Sequence, residues 1–245
     1  MSRTSDTSDW VAGLDGFRSG WFAVFYRPVD GTCRQRIVPT LEAALDAPEA
    51  PGFVGVDMVI GLPDRAASGG RACDRAARAL LGYPRSSSVF SPPAYAALDA
   101  ETYNEARALH TGTADDAPGI TIQAFHLLPK MREVASMVTP ERQQRVREVH
   151  PELAFYEMNG GTSVEESKHD EEGRRIRREL LADRLYPDIG EAIERYAGGD
   201  VGVDDVLDAH AVCWSAARMM SGTARRVPED DPPVNGRGLR MEIWW

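Results

Sequence analysis

The sequence predicts a single α/β domain over residues 1–245. Three features lead to that reading. Short strand-like runs separated by turn signals fill the start of the chain. A continuous Val- and Ile-rich run, Gly52 to Pro63, follows. Beyond it helical periodicity takes over, with one further extended run and a long helix near the end.

In chain order, VAGLDGF (Val11 to Phe17) is an apolar run ending beside a Gly-flanked Asp. WFAVFY (Trp21 to Tyr26) follows after the short link RSG, which reads as a hairpin. The turn PVDGT leads to a third strand, Cys33 to Pro39. TLEAALDA reads as a short helix, with Thr40 as N-cap and Leu41, Ala44 and Leu45 on one face. Gly52 to Pro63 has the texture of a strand buried on both faces.

After Pro63 the pattern turns helical. Helices are expected over Arg71 to Leu81, Tyr95 to His110 and Ile120 to Met137. YPRSSSVFSPP is a rigid loop, and Asp115 to Gly119 is another. Val146 to Phe155 reads as a strand ending in His-Pro-Glu. EEGRRIRRELLADRL and Asp204 to Met220 are helical, and the tail ends on a short strand-like piece. No Gly/Ser linker divides the chain, so an all-helical insertion at about 64–142 is expected within one domain.

The composition bounds the function. With 42% hydrophobic and 27% charged residues, the chain can build a sizeable core. It has no apolar run of the roughly 18–20 residues a spanning helix needs. MSRTSDTSDW lacks the apolar core of a signal peptide and reads as a frayed tail. Cys33, Cys73 and Cys213 form no CxxC pair, so a reducing, cytoplasmic setting is expected.

The net charge is −10, and of 28 basic residues only Lys130 and Lys168 are lysine. An acidic, lysine-poor surface suits a high-salt cytoplasm. A GC-rich genome favouring arginine codons explains it equally well. Net charge alone disfavours nucleic acid, whose phosphates call for a basic face.

Several carboxylates look chemical. Asp15 ends the first apolar strand, where an Asp can also simply cap a turn. Asp57 lies inside VGVDMVIG, and an unpaired carboxylate buried there would cost several kcal/mol. On the last helix Asp205 and Asp208, spaced i, i+3, project from one face that borders the core-facing side, and Asp204 with Asp208, at i, i+4, could do the same. An acidic first turn favoured by the helix dipole is the plainer reading of that pair. Together the acids resemble a centre in which two divalent cations about 3.5–4 Å apart are held by carboxylates from several elements. Hard oxygen ligands select Mg²⁺ or Mn²⁺.

GLDGFRSGW, VDMVIGLP, RACDRAARALLG, SSSVFSPP, QAFHLLPKMREV, REVHPELAF, ESK and DDVLDAHA occur in unbroken order. This set resembles the predicted ribonuclease-H-like nuclease family labelled domain of unknown function 429. The resemblance implies a ribonuclease-H-like fold: a central five-stranded mixed sheet flanked by helices, its first three strands antiparallel. The last helix is also similar to that of RuvC-type Holliday-junction resolvases, in which D-x-x-D-A supplies two metal ligands. Carried over, the resemblance implies that Asp15, Asp57, Asp205 and Asp208 hold the metal and are catalytic. The apolar turn and large insertion after Asp57 depart from the resolvases and bear on whether a long duplex can reach the site.

Other residues complete the candidate site. Arg18 follows the Asp15 turn and suits either a phosphate or an acid partner. Arg71, Arg75 and Arg78 lie at i, i+4, i+7 and make a basic stripe, flanked by Arg65 and Arg85. Such stripes are usually solvated faces, yet in an acidic protein they are natural phosphate contacts. His150 is either a general acid or base or a histidine bonded to the sheet edge. Lys130 and Lys168, the two surviving lysines, fit the role of compact charges for substrate.

The expected function is metal-dependent phosphodiester hydrolysis of nucleic acid or a small phosphoester. One alternative is an ATP-dependent phosphotransferase of the actin-like and sugar-kinase superfamily. The other is a non-catalytic binding module on the same fold.

Overall fold

The computed structural model describes residues 8–245. Of the expected N-terminal tail, residues 1–7 lie outside the described residues. Residues 8–10 are not frayed, because the Trp10 carbonyl accepts from the Gly52 amide at 2.8 Å.

Two apolar runs and a third, polar and more exposed one form the antiparallel strands β1 (Val11–Phe17), β2 (Gly20–Arg27) and β3 (Thr32–Val38). The helix α1 (Leu41–Leu45) follows, with Thr40 Oγ1 accepting from the Ala43 amide. The chain then returns in β4 (Phe53–Asp57), which pairs parallel with β1. Strand β5 (Val146–Glu148) pairs parallel with β4. The sheet order is β3-β2-β1-β4-β5, a mixed five-stranded sheet.

Between β4 and β5 the regular elements are helical. They are α2 (Ala72–Leu81), α3 (Tyr103–Thr111), α4 (Ile122–His126), α5 (Leu128–Met137) and three short 3-10 turns. Beyond β5 come α6 (Pro151–Met158), α7 (Glu171–Ala182), α8 (Ile189–Tyr196) and α9 (Val203–Ser221). A two-stranded ribbon, β6 (Arg226–Val227) and β7 (Ile243–Trp244), closes the described chain. No described helix is long and apolar enough to cross a membrane.

Side-chain alternation along β1 sorts the core into two layers. Ala12 and Leu14 pack with Trp21, Ala23, Phe25, Val54 and Val56 against α1 and α5. Val11 and Phe17 join Phe22 and Val24 in a second cluster with α6 to α9. Helices therefore cover both faces, which explains why β1 and β4 read as almost continuous apolar runs.

Several boundaries differ from the sequence reading. The fourth strand ends at Asp57; Met58 to Leu62 stay buried but irregular, and Gly61 adopts φ +75°. The expected strand Val146 to Phe155 stops at Glu148. Pro151 instead opens α6, since its fixed φ suits the first helical position, and His150 caps that helix. The expected helix Tyr95 to His110 divides into a 3-10 turn, Tyr95–Asp99, and α3, which Thr102 caps. The expected helix Ile120 to Met137 divides at Leu127, where α5 restarts with Pro129 in its first turn. Helix α8 lies in a stretch for which the sequence reading gives no element.

Candidate metal centre

The parallel pairing of β1 with β4 places Gly13 opposite Gly55 and Asp15 opposite Asp57. Those two steps build the site. The glycines leave a notch in the sheet, and α9 lies in it. A Cβ on Gly13 would fall 2.1 Å from the Cys213 amide nitrogen, and one on Gly55 would fall 2.7 Å from Val212 Cγ1. From Cys213 back to Asp208 is five residues, a rise of about 7.5 Å. From Gly13 to Asp15 is two strand residues, about 6.6 Å. With α9 running against β1, the two distances nearly match, so Asp208 arrives beside Asp15.

Carboxylate oxygens of Asp15, Asp57 and Asp208 all lie within 4.8 Å of one another. Asp15 and Asp208 are buried, and Asp57 is half-buried at the floor of a cleft. Burial, then Asp57 and Asp208, pushes the Asp15 carboxyl well above the usual carboxylate range. Burial raises Asp57 to about 6, with His150 opposing and Asp208 reinforcing the shift. Three acids so close repel one another unless a cation or protons intervene. Asp208 Oδ1 is buried with no hydrogen-bond partner among the described residues, leaving a lone pair free for a ligand.

Asp205 lies beside Asp15 but outside the set of three whose oxygens all approach one another. Its Oδ2 accepts from the Gly202 amide at 2.7 Å, capping α9, although the side chain still lines the cleft. Among the described residues, the only carboxylate group arranged to hold a metal is therefore three-membered, whereas four ligands were expected.

The cleft has a volume of about 440 Å³. One wall is the loop Ser167 to His169; the other is formed by Arg85, Ser87, Ser88, Gln123 and Leu127. His150, Pro151 and Glu152 form its end, the start of α6. Lys168 Nζ donates to Asp208 Oδ2 at 2.7 Å and lies 3.9 Å from Asp204. His150 Nδ1 accepts from the Glu152 amide, and its Nε2 lies 3.3 Å from the Ser88 carbonyl. Glu152 is buried and joined to the buried Arg177 by two hydrogen bonds.

The expected arginine contacts are not brought together. Arg71 is buried, its guanidinium spent on Asp74, Glu148 and the Ile60 carbonyl, which leaves no face for a phosphate. Arg75 donates to the Gly70 carbonyl, and Arg78 ties down Gly69, Val89 and Ser91. Their stripe fastens a loop to α2 and does not line the cleft. Arg18 is exposed beside β1 and does not line the cleft either. Lys130 sits over the Trp21 ring and donates to the Gly20 carbonyl, and it too is outside the cleft lining. Arg85 is the arginine that does line the cleft. Its Nε is buried without a partner among the described residues, and in the sequence it stands out only as a flank of the Arg71–Arg78 stripe beside the Ser-rich loop.

A larger depression of about 740 Å³ lies between β3 and α8. His210 on its wall is already engaged, by the Val206 carbonyl and Gln35.

The family described as a protein of unknown function (DUF429) matches residues 13–232. The chain belongs to that family. No curated protein and no solved structure matches it. The DUF429 match contains all four aspartates, Lys168 and both cleft walls, and it ends before β7.

Proposed function

We propose that this DUF429 protein is a metal-dependent phosphodiesterase on a ribonuclease-H-like fold, acting on nucleic acid or a small phosphoester. The observation that carries this reading is the convergence of Asp15, Asp57 and Asp208 from two strands and a helix within 4.8 Å. The sheet order, with three antiparallel strands first, fits what the sequence resemblance implies. The donor set is carboxylate oxygen throughout, which suits Mg²⁺ or Mn²⁺ better than zinc. Three unpaired cysteines agree with a reducing, cytoplasmic setting.

A bound divalent cation would polarise a phosphoryl oxygen and lower the cost of charge in the transition state. The chain supplies the rest. Asp15, Asp57 and Asp208 would hold the cation. Lys168 offsets the surplus negative charge at Asp208. Arg85 lines the cleft and supplies the positive charge there for a phosphate. His150 stands at the cleft end, where it can take or give a proton. Leu127, Met58 and Pro151 make part of the lining apolar.

Manganese-dependent cleavage of nucleic acid and of small phosphodiesters tests the proposal. Asp15→Ala and Asp208→Ala should abolish it, and undiminished cleavage in both would reject the assignment. Metal binding without cleavage would point to a binding module. A phosphotransferase would be stabilised by ATP, but the kinases of that superfamily use two copies of the fold, and the described residues hold one five-stranded sheet.

A further inference from the structure

We infer that Lys168 is a built-in second cation, so that the centre holds one divalent ion and not two. The inference rests on reading the carboxylate cluster as a metal centre.

Four observations lead to it. First, the carboxylates that converge number three, enough to surround one ion. Asp205, the fourth ligand a two-ion centre would draw on, commits one oxygen to the Gly202 amide and falls outside the mutually close set, although it lies beside Asp15. Second, Asp208 is divided between two duties. Its Oδ2 accepts from Lys168 at 2.7 Å, while its buried Oδ1 has no partner and remains available to an ion. Third, Lys168 Nζ also lies 3.9 Å from Asp204, so the ammonium sits between two acids of the first turns of α9.

Fourth, the loop carrying Lys168 is held rigidly. A Cβ on Gly173 would fall 2.0 Å from the Ser167 carbonyl oxygen, so the loop lies directly on α7. Arg174 Nε donates to the Lys168 carbonyl at 3.1 Å, and Arg177 Nη1 donates to the Glu166 carbonyl at 3.0 Å. Arg177 is itself locked by its paired bonds to Glu152. The backbone of residues 166–168 is thus tied down by three contacts, and the ammonium it carries is held by Asp208. A compact point charge with three donors is what a single-atom cation site calls for, and an arginine fork fits it less well.

In this arrangement Lys168 is a positioning residue. It orients Asp208 and neutralises one charge of the cluster, which leaves room for a single divalent ion among Asp15, Asp57 and Asp208.

The test is titration of the full chain with Mn²⁺ alone, read by calorimetry and by electron paramagnetic resonance. The wild type should bind one ion per chain, with the spectrum of an isolated Mn²⁺. Lys168→Met should take up a second ion and bind the first on the order of tenfold more tightly, because a competing positive charge is gone. Lys168→Arg should keep one. Two ions in the wild type, with the exchange-coupled spectrum of a pair, would overturn the inference and leave the metal centre standing. Unchanged stoichiometry and affinity in Lys168→Met would overturn it as well. No Mn²⁺ binding by the wild type would overturn the metal reading itself, and the inference with it. The wild-type stoichiometry decides the matter even if Lys168→Met fails to fold.

Discussion

The Cβ position of Gly13 falls 2.1 Å from the backbone nitrogen of Cys213. Strand β1 and helix α9 therefore meet backbone to backbone, and that contact sets the distance between Asp15 and Asp208. Any side chain at residue 13 must push α9 off the sheet.

Gly13→Ala should accordingly destabilise the fold by about 1–3 kcal/mol or more, the usual cost of overpacking. It should also weaken Mn²⁺ binding, although residue 13 touches no ion. Chemical denaturation with and without Mn²⁺ checks both. Wild-type stability together with wild-type metal stabilisation would show that α9 does not depend on this notch.

Asp57→Asn should stabilise the metal-free protein while removing its response to metal. Burial raises Asp57 to about 6, so at neutral pH its charge is held in the fold at a cost. The cleft admits water to this half-buried group, so the gain should be modest, roughly 1–2 kcal/mol. The melting temperature should rise by a few degrees, and Mn²⁺ should no longer shift it. A lower melting temperature without metal would mean that the acids do not repel.

Arg85→Gln should raise KM for a phosphoester about tenfold or more and leave Mn²⁺ binding unchanged. Arg85 lines the cleft without contacting the acids, and a lost charged hydrogen bond to phosphate is worth about that much. Steady-state kinetics with a calorimetric control separates the two effects. An unchanged KM would remove Arg85 from the substrate site.

His210 should make stability depend on pH in a defined direction. Burial lowers its pKa from 6.5 to about 4, against the pull of the Val206 carbonyl. The neutral ring is favoured in the fold, so its contribution is complete above 6.5 and is lost as the pH falls through about 4. The stability difference between wild type and His210→Gln should shrink by roughly 2 kcal/mol from about pH 7 to about pH 5. Urea midpoints at the two pH values measure it, and a difference independent of pH would rule this out.

Much of this architecture is written in local sequence. The three opening strands, the Thr40 cap on α1 and the long α9 follow from alternation, turn residues and helical spacing, which act over a few neighbours. Boundaries that depend on a competing local signal were harder to read. Pro151 looked like a strand exit and proved to be a helix start, because the same fixed φ serves both. The candidate aspartates were legible for a related reason: acids inside apolar runs are costly and stand out.

The sequence by itself determined the opening strands, α1, α2 and α9, the chemistry of Asp15, Asp57 and Asp208 as candidates, and the oddity of the two lysines, but not the α6 start or α8. Only the tertiary structure separated the members of each group. It drew Arg71 into a buried pair with Glu148, 77 positions away, and left Arg85 facing the cleft. It set Lys130 over Trp21 and Lys168 on Asp208. Residues of one type carry the same charge in a sequence. Which of them is spent on the fold and which remains for a ligand depends on long-range packing, here on the depth of the Gly13 and Gly55 notch that receives α9.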